Sequence, residues 1–208
     1  MGFRGGSFSG FTKNFTELNK EILNKNDIPH IAATYCALCI LKVCGYNIND
    51  EKEKNDYMGV LEEIGKCQTD RGSITAQLWD TEDDPRFMYC ACAIHRLLGV
   101  KSEDKFSFDK DKAKSYLETL ISYEGGYGME SDSEANAGLT YCSVGSLVLM
   151  GFDNEINNKE KLIFWLANRF HDIGVNGRTN KVTDSCYSFW VMATLCILGK
   201  LIYYKLYL

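Results

Sequence analysis

A carboxylate and a thiol stand two residues apart at Asp184 and Cys186, just before a long apolar run. Carboxylate oxygen and thiolate sulfur are both ligands that zinc accepts in proteins. A loop that carries Arg178 and Lys181 leads directly into this pair, and the aromatic Trp190 follows it. Fixed cations stabilise a leaving pyrophosphate, because negative charge gathers on it as its bond breaks. This combination suits a metal-bound thiol beside a pyrophosphate and an apolar chain.

Each of these features also has an ordinary structural reading when it is taken alone. Asp184 is a residue type that caps helix N-termini, and Cys186 could simply pack in a core. Arg178 and Lys181 could be solvated residues of a polar loop. The choice depends on the elements that would hold these side chains together.

The composition is that of a folded, helical protein. The chain has 208 residues, of which 45% are apolar and 25% are charged, and it has only 2 prolines. These values are ordinary for a globular domain, and the scarcity of proline favours helices over a β-fold with many turns. The net charge is −5, so we expect no nucleic acid partner.

The 9 cysteines indicate reduced thiols rather than a disulfide scaffold. Their number is odd, most lie inside apolar runs, and no charged-then-apolar leader opens the sequence. We therefore predict a cytoplasmic protein in which most cysteines are small, buried core residues. The apolar stretch 191–208 is interrupted by Lys200 and Lys205, so we expect no stable membrane span.

Four segments of the chain repeat one pattern, in units of about fifty residues. In each segment a glycine follows an aromatic residue by ten positions, and successive aromatic residues are 54, 52 and 48 positions apart. The residues between them are apolar or small, which predicts a buried helix ended by a glycine. The aromatic and glycine pairs are Tyr35 and Gly45, Tyr89 and Gly99, Tyr141 and Gly151, and Phe189 and Gly199.

A glycine-rich loop precedes each of these helices, and more amphipathic stretches such as 111–122 and 160–170 precede the later loops. Each unit is thus a helix, a glycine loop and a second helix. Such hairpins bury their apolar faces only by stacking, either in an open solenoid or in a closed ring. We expect the apolar helices to form an inner wall and the amphipathic helices an outer wall. The loops should gather at one rim, where helix N-termini converge.

Residues 177–190 read G-R-T-N-K-V-T-D-S-C-Y-S-F-W and resemble the motif G-R-x-N-K-x-x-D-x-C-Y-S-F-W of protein prenyltransferase β subunits. Residues 2–5, 30–35 and 85–90 are similar to further motifs of that family. These runs resemble the geranylgeranyltransferase type I branch best. The β subunits of farnesyltransferase and Rab geranylgeranyltransferase are the alternatives within the family.

The resemblance implies an all-α fold, the α/α toroid. Residues 1–199 would form a partial ring of about four repeats, and residues 200–208 a non-matching tail. It also implies an enzyme that works with an α subunit and zinc. The reaction would transfer a prenyl group from geranylgeranyl diphosphate to the cysteine of a C-terminal CaaX motif on small GTPases. A truncated paralogue that binds the α subunit or a prenyl chain without chemistry is the alternative. A terpene cyclase would need an Asp-rich motif, which the sequence lacks.

The same resemblance implies roles for individual residues at the chemical centre. Asp184, Cys186 and Tyr187 would be catalytic, with Asp184 and Cys186 as two zinc ligands. The family's third ligand, a histidine in a later repeat, has no counterpart in this sequence, so we expect the chain alone to be inactive. Asn136 stands where the family has a histidine, which predicts weaker diphosphate binding because an amide carries no charge. The diphosphate would contact Arg178, Lys181, Tyr187 and Asn136.

The resemblance also implies two groups of substrate contacts. The prenyl pocket would be lined by rings from successive inner helices, whose structural alternative is ordinary core aromatics. His95 and His171 match no ligand of the family, and we predict that both are surface residues. The three rings of the predicted prenyl pocket are Tyr35, Tyr89 and Trp190. The last residue of the peptide substrate would contact His30, Ala32, Arg86 and Phe87.

Overall fold

The computed structural model describes residues 29–49 and 54–200, with the backbone alone for 54–58. The opening run 2–5 and the tail from residue 201 onward lie outside these residues. Within them the chain is helical, as predicted, with a short β-hairpin of Phe170–His171 (β1) and Gly174–Val175 (β2) and a 3-10 turn at Asp153–Glu155. The helices are Ile31–Val43 (α1), Lys54–Lys66 (α2), Pro85–Leu97 (α3), Lys110–Thr119 (α4), Ala137–Met150 (α5), Lys159–Ala167 (α6) and Ser185–Ile197 (α7).

The helices form two layers, as the repeat predicts. The apolar helices α1, α3, α5 and α7 pack side by side in chain order, and this inner layer carries most of the helix–helix contact. The more polar α2, α4 and α6 each pack on the inner helix that follows in the chain. Apolar side chains from both layers form one buried core. None of the helices in the described ranges is both long and apolar enough to span a membrane.

Every inner helix begins at a capping residue with extended backbone, and this regularity was not predicted as a repeat feature. A side-chain acceptor binds an N–H in the first turn, which satisfies one of the donors that a helix start leaves open. The capping bonds run to His30 Nδ1 from the Ala32 N–H (3.1 Å), to Asp84 Oδ1 from the Arg86 N–H (2.8 Å), to Asn136 Oδ1 from the Gly138 N–H (2.9 Å) and to Asp184 Oδ1 from the Cys186 N–H (3.0 Å).

The predicted helix-ending glycines are confirmed. All four have a left-handed backbone, a conformation that costs glycine little because it lacks a Cβ atom. At Gly151 the backbone N–H donates to the Val148 carbonyl and closes the last turn of α5. The φ angles are 83° at Gly45, 87° at Gly99, 92° at Gly151 and 70° at Gly199.

The loops before α3 and α7 each reach back to the start of the inner helix that precedes them. The first N–H of α1, from Ile31, donates to the Ala76 carbonyl at 2.9 Å, and the first N–H of α5, from Ala137, donates to the Gly177 carbonyl at 2.8 Å. Pro85 opens α3 and has no N–H to donate, which is tolerated at the first helical position. These bonds bring the loops to the helix N-termini, at one rim of the layer.

His95 is fully buried, so the prediction that it lies at the surface is wrong. Its ring stacks on Phe106 with a centroid distance of 4.6 Å. The Ser107 N–H donates to Nε2 at 3.1 Å, so Nδ1 carries the proton and donates to the Ala91 carbonyl at 2.8 Å. Both ring nitrogens are therefore satisfied, and burial lowers the pKa of His95 to about 4. His171 is exposed, as predicted.

The prediction that most cysteines are buried is also wrong. All nine lie in described residues with unpaired thiols, and the exposed ones belong to the first and last inner helices and their ends. In the part of the chain that the structure describes, α1 packs on the inner helix α3 and α7 on the inner helix α5, whereas α3 and α5 each pack on two inner helices. Cys67, Cys90, Cys92 and Cys142 are buried, Cys39 is half-buried, and Cys36, Cys44, Cys186 and Cys196 are exposed.

Candidate active site

A row of four aromatic rings crosses the inner layer, one from each inner helix, and a fifth ring, Phe189 of α7, lies beside the row, 5.5 Å from Tyr141. The centroid distances are 6.0 Å from Tyr35 to Tyr89, 5.1 Å from Tyr89 to Tyr141 and 5.0 Å from Tyr141 to Trp190. Gly145 makes room for this row, because a Cβ atom there would lie 2.9 Å from the Tyr89 ring. The structure therefore brings the three predicted pocket rings together in one wall.

Tyr141 is the member of this row that was not predicted as a site residue. It occupies the repeat position of Tyr35 and Tyr89, so the register that defined the repeat could have identified it. The hydroxyl groups of Tyr89 and Tyr141 lie 2.8 Å apart and form a hydrogen bond. Burial raises the pKa of Tyr35 to about 12 and also raises the pKa of Tyr89, so these two hydroxyls stay protonated at neutral pH.

Asp184 and Cys186 lie at the exposed start of α7, where the capping role of Asp184 holds and the core-packing alternative for Cys186 does not. Asp184 caps the helix through the Cys186 N–H, and this backbone hydrogen bond, together with the Cys186 side chain, lowers the pKa of the carboxyl. The pKa of the Cys186 thiol is raised, by desolvation first and by the neighbouring carboxylate second. The capping bond binds one oxygen, Oδ1, of an exposed carboxylate.

The two side chains are of the donor types that a zinc site would use. Carboxylate and thiolate are suitable donors, and the capping bond holds both at one turn of helix. In the residues that the structure describes, no group of three or more His, Cys, Asp or Glu side chains is placed to hold a metal ion. The donor types fit zinc, but the described chain provides two ligands rather than the usual three or four.

The basic loop is held against the preceding repeat. Arg178 Nη1 lies 2.9 Å from Glu134 Oε2, and both side chains are partly exposed. The Thr179 hydroxyl donates to Glu124 Oε1 at 2.7 Å. Together with the backbone bond from α5 to the carbonyl that precedes Arg178, these contacts fix the loop beside the N-terminus of α5. Two acidic side chains thus orient the loop, and sequence reasoning did not identify either of them.

The loop also touches the first turn of α7. A Cβ atom on Gly177 would lie 2.1 Å from the Tyr187 ring, so only glycine lets that half-buried ring pack against the loop. Lys181 has an exposed side chain on the same loop. Asn136, the remaining predicted diphosphate contact, uses its Oδ1 to cap α5. Its amide nitrogen is a further donor at that helix start.

The predicted peptide contacts gather at the start of α1 and α3. The rings of His30 and Phe87 meet edge to face at 5.7 Å, and the Arg86 guanidinium lies 5.6 Å from the Phe87 ring centroid. Arg86 is also paired with the buried carboxylate of Asp84, through Nε at 3.0 Å and a shorter Nη2 contact. Ala32 is half-buried in the first turn of α1. Arg86 is thereby fixed in place, with its charge largely neutralised.

Comparison with known proteins gives consistent results. Geranylgeranyl transferase type-1 subunit beta of Arabidopsis thaliana is 37% identical over 186 residues, covering 84% of this chain and 48% of that protein. The Dictyostelium discoideum subunit of the same name is 34% identical, covering 84% and 47%. Geranylgeranyl transferase type-2 subunit beta of Candida albicans is 33% identical, covering 82% and 52%. The chain thus spans about half the length of the curated relatives it matches.

A solved structure has the same fold. It is Candida albicans protein geranylgeranyltransferase-I complexed with GGPP, with a TM-score of 0.70 and 22% sequence identity over 98% of this chain and 62% of that chain. The prenyltransferase alpha-alpha toroid domain family matches residues 1–206, which include the inner helices, their capping residues and the basic loop. This chain is therefore a member of the prenyltransferase α/α toroid family.

Proposed function

We propose that this chain is part of a protein geranylgeranyltransferase β subunit of type I. Such an enzyme transfers a prenyl group from a prenyl diphosphate to the cysteine of a C-terminal CaaX motif. The observation that carries the proposal is the row of four rings, which leads to the first turn of α7, where the basic loop packs on Tyr187. The names of the two type-1 relatives support the choice of branch.

The two regions suit the two ends of a prenyl diphosphate. The rings give an apolar wall of the kind that a polyisoprene chain needs, and the phenols of Tyr35 and Tyr89 are neutral in it. Arg178 and Lys181 provide positive charge at the rim, next to the N-terminus of α5, which also favours anions. As the bond between prenyl C1 and the diphosphate oxygen breaks, charge accumulates on the leaving diphosphate and these cations stabilise it. The new bond joins C1 to the substrate's sulfur.

Asp184 and Cys186 would hold zinc, which when bound lowers the pKa of the substrate thiol so that it attacks as a thiolate. The chain's own contribution is orientation: the Cys186 N–H holds one oxygen of Asp184 and keeps the two donors together at the start of α7. We further propose that the chain pairs with an α subunit in the cytoplasm, binds geranylgeranyl diphosphate and acts on CaaX-terminated small GTPases.

The test is a binding comparison between geranylgeranyl diphosphate and geranylgeraniol, measured by quenching of tryptophan fluorescence in the full chain. Changing both Arg178 and Lys181 to Ala should weaken diphosphate binding by about tenfold or more. Each lost charge-assisted contact contributes up to about 3 kcal/mol to the binding free energy. Binding of the alcohol should be unchanged. The matched control changes the exposed Lys101 and Lys105 to Ala. Equal diphosphate affinity in the two double variants would contradict the proposal.

A second candidate function is a non-catalytic one, in which the chain binds an α subunit or a prenyl chain without chemistry. One observation favours it: Asn136 is uncharged where the family resemblance has a histidine. With an α subunit added, this candidate predicts binding of labelled geranylgeranyl diphosphate but no transfer of label to a CaaX peptide. Transfer of the label would exclude it.

A further inference from the structure

The basic loop contains a β-turn that carries the two predicted diphosphate cations at its ends. The Lys181 N–H donates to the Arg178 carbonyl and closes the turn, and Asn180 inside it has a left-handed backbone with a φ of 58°. The first and last Cα atoms of a β-turn lie within about 7 Å of each other. The side chains of Arg178 and Lys181 therefore start from neighbouring points and can bind one diphosphate together.

The two ends of this turn are held in different ways. The side chains of its first two residues are bound by carboxylates of the preceding repeat. Its last residue is held from within the loop, because the side-chain amide of Asn176 donates from Nδ2 to the Lys181 carbonyl at 3.2 Å. This bond joins the residue that precedes the turn to the residue that ends it.

Asn176 is a costly residue for a position that only needs to be filled. Its side chain is 2% exposed, and its Oδ1 atom is buried without a hydrogen-bond partner among the described residues. A buried carbonyl that lacks a partner destabilises a fold, so a smaller hydroxyl or an apolar side chain would suit packing alone. The bond to Lys181 is the side-chain interaction that offsets this cost.

The second repeat contains the counterpart of this turn with a different side chain before it. Its turn runs from Gln77 to Asp80, and the Asp80 N–H donates to the Gln77 carbonyl at 3.3 Å. Thr75 takes the place of Asn176, and its hydroxyl donates to the carbonyl of the first turn residue, Gln77, at 2.9 Å. The fold therefore accepts a hydroxyl at this position. Within these two described loops, the bond to the last turn residue occurs in the loop that carries the cations.

We propose that Asn176 is a positioning residue for diphosphate binding, an inference that rests on the proposed function. By holding the Lys181 carbonyl, Asn176 keeps the two ends of the turn together, so that Arg178 and Lys181 are arranged before the ligand arrives. Loss of the bond frees the end of the turn that carries Lys181. Because the Asn176 side chain is buried, its effect on the ligand passes through the two cations.

The test replaces Asn176 in the full chain with the residue that the second repeat carries. Asn176→Thr should weaken binding of geranylgeranyl diphosphate by about three- to tenfold, the effect of losing one net hydrogen bond, and leave binding of geranylgeraniol unchanged. Quenching of tryptophan fluorescence measures both. The matched control is Asn168→Thr, which removes a bond from Asn168 Nδ2 to the Phe164 carbonyl (2.8 Å) at the exposed end of α6. Equal diphosphate affinity in these two variants would overturn the proposal.

A second measurement separates positioning from a general structural role. When Arg178 and Lys181 are both changed to Ala, adding Asn176→Thr should cause no further loss of diphosphate affinity, because a residue that acts through these cations has no effect without them. A further loss of about threefold or more would overturn the positioning role. Unchanged diphosphate affinity in the Ala double variant itself would overturn both this inference and the proposed function. A loss there without one in Asn176→Thr would overturn the inference alone.

A second substitution keeps the test valid if the threonine variant does not fold. Asn176→Leu is similar in size to asparagine, lacks the amide donor and also removes the unpaired Oδ1 atom. It should reproduce both binding results, and circular dichroism verifies the folding of each variant. A folded Asn176→Leu variant that binds geranylgeranyl diphosphate as tightly as wild type would overturn the proposal.

Discussion

The second and fourth repeats use the same capping position for different purposes. Asp84 caps α3 and is 3% exposed, and its carboxylate oxygens are occupied by the Arg86 guanidinium. Asp184 caps α7, is exposed, and is followed two positions later by Cys186 instead of an arginine. The second residue after the cap, Arg86 or Cys186, therefore determines whether the carboxylate is paired with a guanidinium.

The same contrast recurs further along the two helices. Eleven positions after its cap, α3 carries His95, while α7 carries Leu195, and both side chains are buried. The second repeat thus buries two ionisable groups with their hydrogen-bond partners, whereas the fourth buries an apolar residue and leaves its ionisable groups at the rim. The stability of this protein should depend on pH through the second repeat, and its ligand chemistry on the fourth.

Acid should destabilise the protein through His95. Its pKa of about 4 in the folded state lies below the ordinary value of 6.5, so the unfolded chain takes up a proton that the folded chain does not. The free energy of unfolding therefore has its full value above pH 6.5 and falls as the pH drops toward 4. The expected loss in free energy of unfolding is about 3 kcal/mol, measured by urea denaturation at several pH values.

The control for this effect is His95→Gln, which has a polar side chain that does not titrate between pH 4 and 7. The variant should be less stable at pH 7, because it loses the stacked ring on Phe106, but its stability should depend less on pH. If wild type and variant lose stability equally between pH 6.5 and 4, then His95 is not the group responsible.

The two capping aspartates should differ in their effect on stability. Asp84→Ala removes a helix cap and leaves Arg86 without its carboxylate, so we expect a loss of about 2 kcal/mol in the free energy of unfolding. Asp184→Ala removes a cap from an exposed helix start and should cost less. Urea denaturation of both variants at pH 7 measures the difference. Equal losses would mean that burial and the arginine contact add nothing at Asp84.

The layers were predictable from the sequence because their causes are local. An apolar run that ends at a glycine, such as the one before Gly151, specifies a buried helix and its end without reference to the rest of the chain. His95 was misassigned because its partners, Phe106 and Ser107, come from a loop beyond the helix. The ion pair of Arg178 with Glu134 joins residues 44 positions apart, a contact that only the stacking of repeats creates.

The sequence predicted those parts of the site whose residues occupy equivalent positions in successive repeats. Tyr35 and Tyr89 share a register position, and the structure places them side by side with Tyr141. The residue type alone predicted that Asp184 caps a helix. Whether its carboxylate also pairs with a cationic side chain depends on the second residue after the cap, here Cys186, and on exposure. The exposure of a side chain such as Asp184 depends on how the helices of the layer pack, so a local sequence pattern does not predict it.

The smallest expected effect concerns Asn136, which caps α5 in the third repeat. A histidine can fill this position without loss of the cap, because His30 caps α1 through Nδ1 in the same repeat position. Asn136→His should therefore leave the free energy of unfolding within about 0.5 kcal/mol of wild type at pH 8, where the imidazole is neutral and its Nδ1 can accept the capping bond. The imidazole adds a group that is partly cationic near its ordinary pKa of 6.5, next to the loop that carries Arg178. Affinity for inorganic pyrophosphate should then rise by about two- to fivefold at pH 6 and less at pH 8, as measured by isothermal titration calorimetry.

Asn136→Gln is the control, because it keeps an uncharged amide. A histidine variant that binds pyrophosphate no better than the glutamine variant at pH 6 would limit residue 136 to the capping role that Asp84 has in the second repeat.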